Sequence, residues 1–157
     1  MSRRTFDREE LLGAPDGPLH HETAVRFQDV DAAGVIFFAR ALEYCSDAMF
    51  AMLEQAGFPG HRMFVEREFV TPVKHVEAHY LRPLRYGDRI GVTLPLALLR
   101  ETDFTLGYRM RRLADGEPCL VGAIHQVCVD AGTFRRTPIP EEFRSVLKAI
   151  CGRTHTD

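Results

Sequence analysis

The chain has 157 residues, of which 45% are hydrophobic and 27% charged, and its formal net charge at pH 7 is −2. This length and composition predict one soluble globular domain. The near-neutral charge excludes nucleic-acid or anionic-membrane partners that are bound through bulk positive charge.

Cysteine usage and the N-terminal residues indicate the compartment. The four cysteines form no Cys-x-x-Cys pair, so neither a structural zinc site nor a thioredoxin-like motif is predicted. The first ten residues carry mixed charges without an apolar core, and no segment is long and apolar enough to span a bilayer. We therefore expect a cytoplasmic protein with reduced thiols.

The first half of the chain predicts a leader, a strand and a helix. Residues 1–22 are expected to be a flexible N-terminal leader, because two glycines and two prolines between positions 13 and 18 interrupt any regular pattern. Alternating side chains predict a first strand over 23–28. Apolar residues at helical spacing predict one long helix over 38–55, which Gly57 is placed to cap.

The second half predicts a sheet. Turn residues bound four β-rich segments, at 72–81, 89–99, 102–112 and 118–130. Their short connections imply antiparallel neighbours. A short helix over 141–150 and a tail over 151–157 follow. One long helix against an antiparallel sheet of about five strands is an α+β architecture, with the domain at 23–150.

The most informative segment is 25–40. It predicts a short strand, a tight turn with Asp29 and Asp31, and the start of the long helix. A helix N-terminus has N–H groups without intrahelical acceptors and a partial positive charge. A carboxylate beside those groups could be a nucleophile or base next to an oxyanion site. It could instead be a helix cap, because Asp is a favoured N-cap residue; the residues alone favour the cap and leave both roles open.

This segment resembles the active-site loop of hotdog-fold acyl-CoA thioesterases of the 4-hydroxybenzoyl-CoA thioesterase family. Two further blocks resemble the same family: 80–88 is similar to a turn between strands, and 125–140 to the last strand and tail. The likeness covers 23–147 and implies a hotdog fold, in which the sheet wraps the helix. The residues that match the loop pattern, in order, are Phe27, Asp29, Asp31, Ala32, Ala33, Gly34, Val35, Ile36, Phe37 and Phe38.

The resemblance implies catalytic roles. Asp31 occupies the position of the family's nucleophile or general base, and the backbone N–H of Phe38 that of the donor to the thioester oxygen. Asp29 is expected to hold the turn through side-chain-to-backbone hydrogen bonds. Gly34 is expected to supply a backbone angle, or a close approach, that a Cβ would prevent. Arg40 departs from the Asn of many relatives, and we expect it to point to water rather than to a CoA phosphate.

The resemblance also implies a substrate and its binding residues. The matching blocks look most like those of hydrolases that act on 1,4-dihydroxy-2-naphthoyl-CoA; 4-hydroxybenzoyl-CoA and short-chain acyl-CoA thioesterases are the alternatives. An aromatic acyl group would contact Gly34, Phe27, Phe37 and Phe64, although core packing competes for the aromatics. The side chains of Phe38 and Tyr80 are further candidates for this pocket.

Coenzyme A would be bound through arginines, which suit its phosphates. The candidates are Arg135, Arg136 and Arg111, and a solvated charge run is the competing interpretation. Family members associate through their sheets and share sites between subunits, so a homodimer or homotetramer is expected. The resemblance implies no cofactor.

Three other interpretations compete with this one. His75, Glu77 and His79 share one face of a strand and could hold zinc with His125, but the spacing is not a helical metal motif, so no metal site is expected. A non-catalytic acyl-CoA-binding module on the same fold would bind without turnover. A hotdog dehydratase would need a His at the helix entry, and none lies between His21 and His61.

Overall fold

The computed structural model describes residues 5–66 and 68–157. Its helices are α1 (Arg8–Gly13), α2 (Phe38–Gln55) and α3 (Glu141–Ile150), with a 3-10 turn at Phe27–Asp29 and a π-helical turn at Arg62–Glu66. Its strands are β1 (His20–Ala24), β2 (Phe69–Val70), β3 (Val73–Tyr80), β4 (Arg89–Leu99), β5 (Asp103–Arg112), β6 (Pro118–Val127), β7 (Val129–Asp130) and β8 (Arg153–Thr156).

The main sheet has six strands. Five are antiparallel in the order β1-β4-β5-β6-β3, and β8 runs parallel to the second half of β4, beyond the segment that pairs with β1. A separate pair joins β2 and β7. The long helix α2 packs into the main core on one face of the sheet. The predicted α+β hotdog architecture is confirmed, with six strands in place of about five.

The long helix has the predicted bounds. Its buried side chains recur every three or four residues, which is the spacing of one helical face. Gly57 has φ of +87°, so it ends the helix in the left-handed conformation expected of a C-terminal cap. The buried residues of this face are Ala41, Tyr44, Cys45, Ala48, Met49, Met52 and Leu53.

The opposite face of the sheet is covered by the segment before β1. Phe6 and Leu11 are buried there against β4 and β6. A Cβ on Gly107 of β5 would lie 2.6 Å from Leu11 Cδ2, so this glycine makes room for α1. The buried guanidinium of Arg109 donates hydrogen bonds to the carbonyl oxygens of Leu11 and Ala14, both at 2.7 Å. The segment is therefore part of the packed domain.

Several expectations about the ends of the elements are wrong. Residues 8–13 are helical and 20–22 lie in β1, where a leader without regular structure was expected; residues 1–4 lie outside the described part of the chain. The first strand covers 20–24, because 27–29 turn into a 3-10 helix that leads into the loop. The expected tail contains β8, because its backbone pairs with β4.

The other predicted elements are close to those observed. The strand predicted to end at Asp130 divides at Cys128, since β7 leaves the main sheet to pair with β2. The turns at Gly87 and Gly116 have φ of +83° and +71°, which glycine adopts without strain. Within the described residues no helix is long and apolar enough to cross a membrane.

Candidate active site

The matching loop is a tight hairpin between the 3-10 turn and α2. Val30 and Ile36 face each other as an antiparallel bridge. The N–H of Asp31 donates to the carbonyl of Val35, and the N–H of Gly34 to that of Asp31, both at 2.9 Å. Gly34 has φ of +79°, and no atom lies within 4 Å of a Cβ built on it. Gly34 therefore supplies a backbone angle that glycine adopts without strain, and no described group of this chain approaches it closely.

Asp31 is exposed at the start of this hairpin. Its Oδ1 accepts the N–H of Ala33 at 2.8 Å, which closes the turn locally. It does not cap α2, because the N-cap residue is Phe37 and no side chain bonds to the helix N-terminus at that position. The carboxylate is thus presented to the surface by a short, hydrogen-bonded loop.

The start of α2 offers backbone donors next to this loop. The N–H of Ile36 donates to the carbonyl of Leu84, and that of Phe37 to the carbonyl of Asp29, so both are already used. Phe38 and Ala39 are the first residues of the helix, where N–H groups have no intrahelical acceptor. The Phe38 carbonyl accepts the hydroxyl of Tyr80 at 2.6 Å, which ties the helix start to the end of β3.

Asp29 holds the loop from beneath, through side chains and not through the expected bonds to backbone. It is 1% exposed. Its Oδ2 accepts the Tyr44 hydroxyl at 2.5 Å and the Arg26 Nε at 2.9 Å. The hydrogen bond from Tyr44, followed by that from Arg26, lowers the pKa of Asp29, so the buried group remains a carboxylate. Burial and then the bond to Asp29 raise the pKa of Tyr44.

Arg40 does not simply point to water. Its guanidinium forms two hydrogen bonds with the Glu43 carboxylate, at 2.9 and 3.0 Å. Its Nε lies 3.6 Å from Asp29 Oδ1. Arg40 therefore joins the charged network under the loop, at the position where many relatives have Asn.

The candidate aromatic residues do not form one pocket. Phe37 and Phe38 contact each other at the helix start, with ring centroids 4.7 Å apart, and both are exposed. Phe27 is exposed and packs edge-on against Tyr86. Phe64 lies in the π-helical turn after α2, with its ring centroid 5.4 Å from that of Phe50. All four side chains are exposed, so packing in the core does not explain them.

A cleft of about 520 Å³ lies between α2, β3 and residues 63–64 and 70–72. Phe64 lines it, whereas Phe27, Phe37 and Asp31 do not. Its wall is mainly apolar, and polar side chains interrupt it at few places. The apolar members include Leu42, Met49, Phe50, Phe64, Val76 and Ile124, and the polar ones Glu43, Ser46, Thr71, Tyr108 and Gln126.

The three candidate arginines do not meet. Arg136 Nη1 lies 3.5 Å from Asp103 at the start of β5, and Arg135 is the preceding residue, in the segment after β7. Arg111 lies at the other end of β5, about 26 Å away at 3.3 Å per residue, and binds Asp16 at 2.6 Å. One phosphate group cannot contact both ends, so Arg111 is separate from the other two.

The histidine row faces the side of the sheet away from α2. His75 pairs with Glu77 at 3.0 Å, and Thr5 also donates to Glu77, so the N-terminal segment contacts this row. His125 Nδ1 lies 2.9 Å from the Thr105 hydroxyl. No group of three possible metal ligands occurs among the described residues.

All four cysteines are free and buried. Burial raises the pKa of Cys45 to about 12, which makes it a poor nucleophile at neutral pH.

Sequence reasoning missed two tyrosines. Tyr44 lies on the apolar face of α2, and Tyr108 lies on β5 among inward-facing residues that alternate with outward ones. A hydroxyl on an otherwise apolar face was the available signal, because a buried Tyr O–H normally needs a partner.

Comparison with known proteins gives a family match and several similar proteins. The model of the thioesterase-like superfamily matches residues 25–147. A 1,4-dihydroxy-2-naphthoyl-CoA hydrolase of Rippkaea orientalis is 36% identical over 126 residues, or 80% of this chain and 91% of that protein. One of Acaryochloris marina is 34% identical over 75% of this chain and 87% of that protein.

A solved structure shares the fold. The crystal structure of a 1,4-dihydroxy-2-naphthoyl-CoA thioesterase from Synechocystis superposes with a TM-score of 0.75 at 22% sequence identity. The match covers 82% of this chain and 93% of that one.

Proposed function

Because the chain belongs to the thioesterase-like superfamily, we propose that it is an acyl-CoA thioesterase that hydrolyses an aromatic acyl-CoA to the free acid and CoA. The acyl group proposed is one like 1,4-dihydroxy-2-naphthoyl, the substrate named for the relatives in Rippkaea orientalis and Acaryochloris marina. The proposal rests on one observation: a tight loop holds the exposed Asp31 carboxylate next to the N-terminus of α2, where no side chain caps the backbone N–H groups.

Asp31 attacks the thioester carbonyl or activates a water molecule that does so. Negative charge then develops on the carbonyl oxygen, where the N–H of Phe38 donates a hydrogen bond. Collapse of the tetrahedral species breaks the carbon–sulfur bond and releases CoA as a thiolate. If Asp31 is the nucleophile, water then hydrolyses the acyl-aspartate; if it is the base, the acid forms directly.

The acyl group occupies the apolar cleft, and two copies of the chain form each site. β3 is an edge strand, with Val73 beside the cleft and Tyr80 hydrogen-bonded to Phe38 at its other end. These ends lie about 23 Å apart in one chain at 3.3 Å per residue. Two-fold antiparallel pairing of β3 with a second copy would bring Asp31 of one copy to the cleft of the other.

The exposed apolar side chains of β3 support this homodimer. Val73 is 54% exposed, Val76 38% and Tyr80 47%. An edge strand with such side chains favours pairing with another strand. Arg135 and Arg136, which follow β7, are proposed to bind CoA phosphates.

The activity is tested by measuring thiol release from matched acyl-CoAs. Aromatic substrates should exceed hexanoyl-CoA in kcat/KM by more than tenfold, which corresponds to about 1.4 kcal/mol of transition-state preference. Equal values for aromatic and straight-chain substrates would remove the aromatic assignment and leave the thioesterase assignment. Binding of acyl-CoA without thiol release would support the non-catalytic module.

The shared site is tested by mixing two inactive variants. Asp31→Asn removes the carboxylate, and Ser46→Trp fills the cleft. After subunit exchange, a site built from two copies should recover about a quarter of the wild-type activity, because half of the dimers are mixed and each has one intact site. No recovery, with exchange shown by mass spectrometry, would place the whole site in one chain.

A further inference from the structure

Tyr108 places an uncommitted phenol hydroxyl at the wall of the cleft. Its ring is 2% exposed and belongs to the core cluster beneath α2, yet the residue also lines the cleft. Within the described residues the Tyr108 hydroxyl donates to no side chain or backbone group. It is also not among the fully enclosed polar atoms that lack a partner, so the hydroxyl is open to the cleft.

The other polar side chains around the cleft are largely committed. Glu43 accepts two hydrogen bonds from Arg40. The Gln126 amide donates to the carbonyl and the hydroxyl of Thr71, at 2.7 and 3.1 Å. The Tyr108 hydroxyl has no partner among the described residues, so it is available to a ligand group that can accept its hydrogen bond.

We propose that Tyr108 determines specificity by hydrogen-bonding a ring hydroxyl of the acyl group, so that the cleft selects hydroxylated over unsubstituted aromatic acyl-CoAs. This inference rests on the proposed function for its substrate class. Burial raises the pKa of Tyr108 well above its usual value, which keeps the phenol a hydrogen-bond donor at neutral pH. The apolar walls bind any aromatic ring, and the one open phenol distinguishes rings that carry a partner for it.

The test uses Tyr108→Phe, which removes one oxygen and keeps the ring. Two substrate pairs differ only in ring hydroxyls: 4-hydroxybenzoyl-CoA with benzoyl-CoA, and 1,4-dihydroxy-2-naphthoyl-CoA with 2-naphthoyl-CoA. The variant should lower kcat/KM for at least one hydroxylated member by tenfold or more, and change its unsubstituted partner by less than about threefold. The matched control is Tyr86→Phe, because Tyr86 is exposed and lies outside the cleft.

Binding separates this inference from the proposed hydrolysis. In an Asp31→Asn background, dissociation constants of the same four compounds are measured by calorimetry, with and without Tyr108→Phe. Selective weakening of a hydroxylated compound supports the role of Tyr108 even if the wild-type protein hydrolyses none of them. Equal changes within both pairs, or no change in either pair, would overturn it. Thermal unfolding of Tyr108→Phe within a few degrees of wild type excludes a loss of fold.

Discussion

Two buried charged side chains hold two different segments of this protein in place. Asp29 and Arg109 are each 1% exposed. Asp29 binds Tyr44 and Arg26 and supports the loop that presents Asp31. Arg109 binds the carbonyl oxygens at the end of α1 and fastens the N-terminal segment to the far face of the sheet. The first segment presents the proposed catalytic carboxylate, whereas the second contains no residue proposed to act in the reaction. Substitutions in the two segments should therefore affect activity and stability differently.

The largest effect is expected at Asp31. Asp31→Asn should lower kcat by at least about a hundredfold, or about 2.7 kcal/mol, because the variant has neither a nucleophilic nor a basic carboxylate. Thiol release in the steady state measures it. Asp115→Asn is the control, since Asp115 closes another turn by accepting the N–H of Glu117, and it should keep wild-type activity. A variant of Asp31 with normal turnover would disprove the catalytic assignment.

A smaller effect, on stability alone, is expected at Arg109. Arg109→Met removes hydrogen bonds to Leu11, Leu12 and Ala14 and should lower the free energy of unfolding by about 2 kcal/mol. Urea unfolding measures it, and kcat of the folded variant should change less than twofold.

The control for Arg109 is Arg111→Met. Both arginines bind the Asp16 carboxylate, but Arg111 is one-third exposed, so its loss should cost under about 1 kcal/mol. If both variants lose the same stability, the hydrogen bonds from Arg109 to the carbonyl oxygens of α1 do not cause the loss. If Arg109→Met loses activity while folded, the two faces of the sheet are coupled.

Asp29 should affect both properties modestly. Asp29→Asn weakens the bonds from Tyr44 and Arg26 and should cost about 1–1.5 kcal/mol of stability, with kcat reduced by less than tenfold. Tyr44→Phe should reproduce most of the stability loss. A kcat loss as large as that of Asp31→Asn would mean that Asp29 itself takes part in the chemistry.

Asp29 also predicts a pH dependence. Its pKa is lower in the folded protein than in the unfolded chain, where it is about 3.9. The stability it contributes is therefore fully present above about pH 4 and is lost as the pH falls through the folded pKa. Between pH 7 and pH 3 the wild type should lose more stability than Asp29→Asn in urea titrations. Parallel losses would show that Asp29 titrates alike in both states.

The smallest effect is expected at Arg135. Arg135→Ala should raise KM for acyl-CoA about fivefold, or about 1 kcal/mol, with kcat unchanged, because an exposed charge contributes to binding and not to the reaction. Arg111→Ala should leave KM unchanged, since it lies at the far end of β5. An equal rise in KM for both variants would indicate that Arg111 also binds CoA.

Much of the fold was predictable because its signals are local. The bounds of α2 follow from the spacing of its apolar residues, and the hairpins follow from glycines that need a positive φ. α1, β2 and β8 were not predictable in the same way. α1 has six residues and is stabilised by the packing of Leu11 against Gly107 of β5, a contact between residues far apart in the chain.

By itself, the sequence determined the α+β class, the long helix, the strand segments from β3 to β6, and the loop in which Asp31 and Gly34 meet the start of α2. These features depend on the periodicity and turn chemistry of neighbouring residues. Only the tertiary structure decided that Asp29 is buried on Tyr44, that Arg111 is remote from Arg135, and that Tyr108 opens into the cleft. The reason is physical: hydrogen bonds and burial of these groups depend on which strands and helices pack together, and no local pattern encodes that packing.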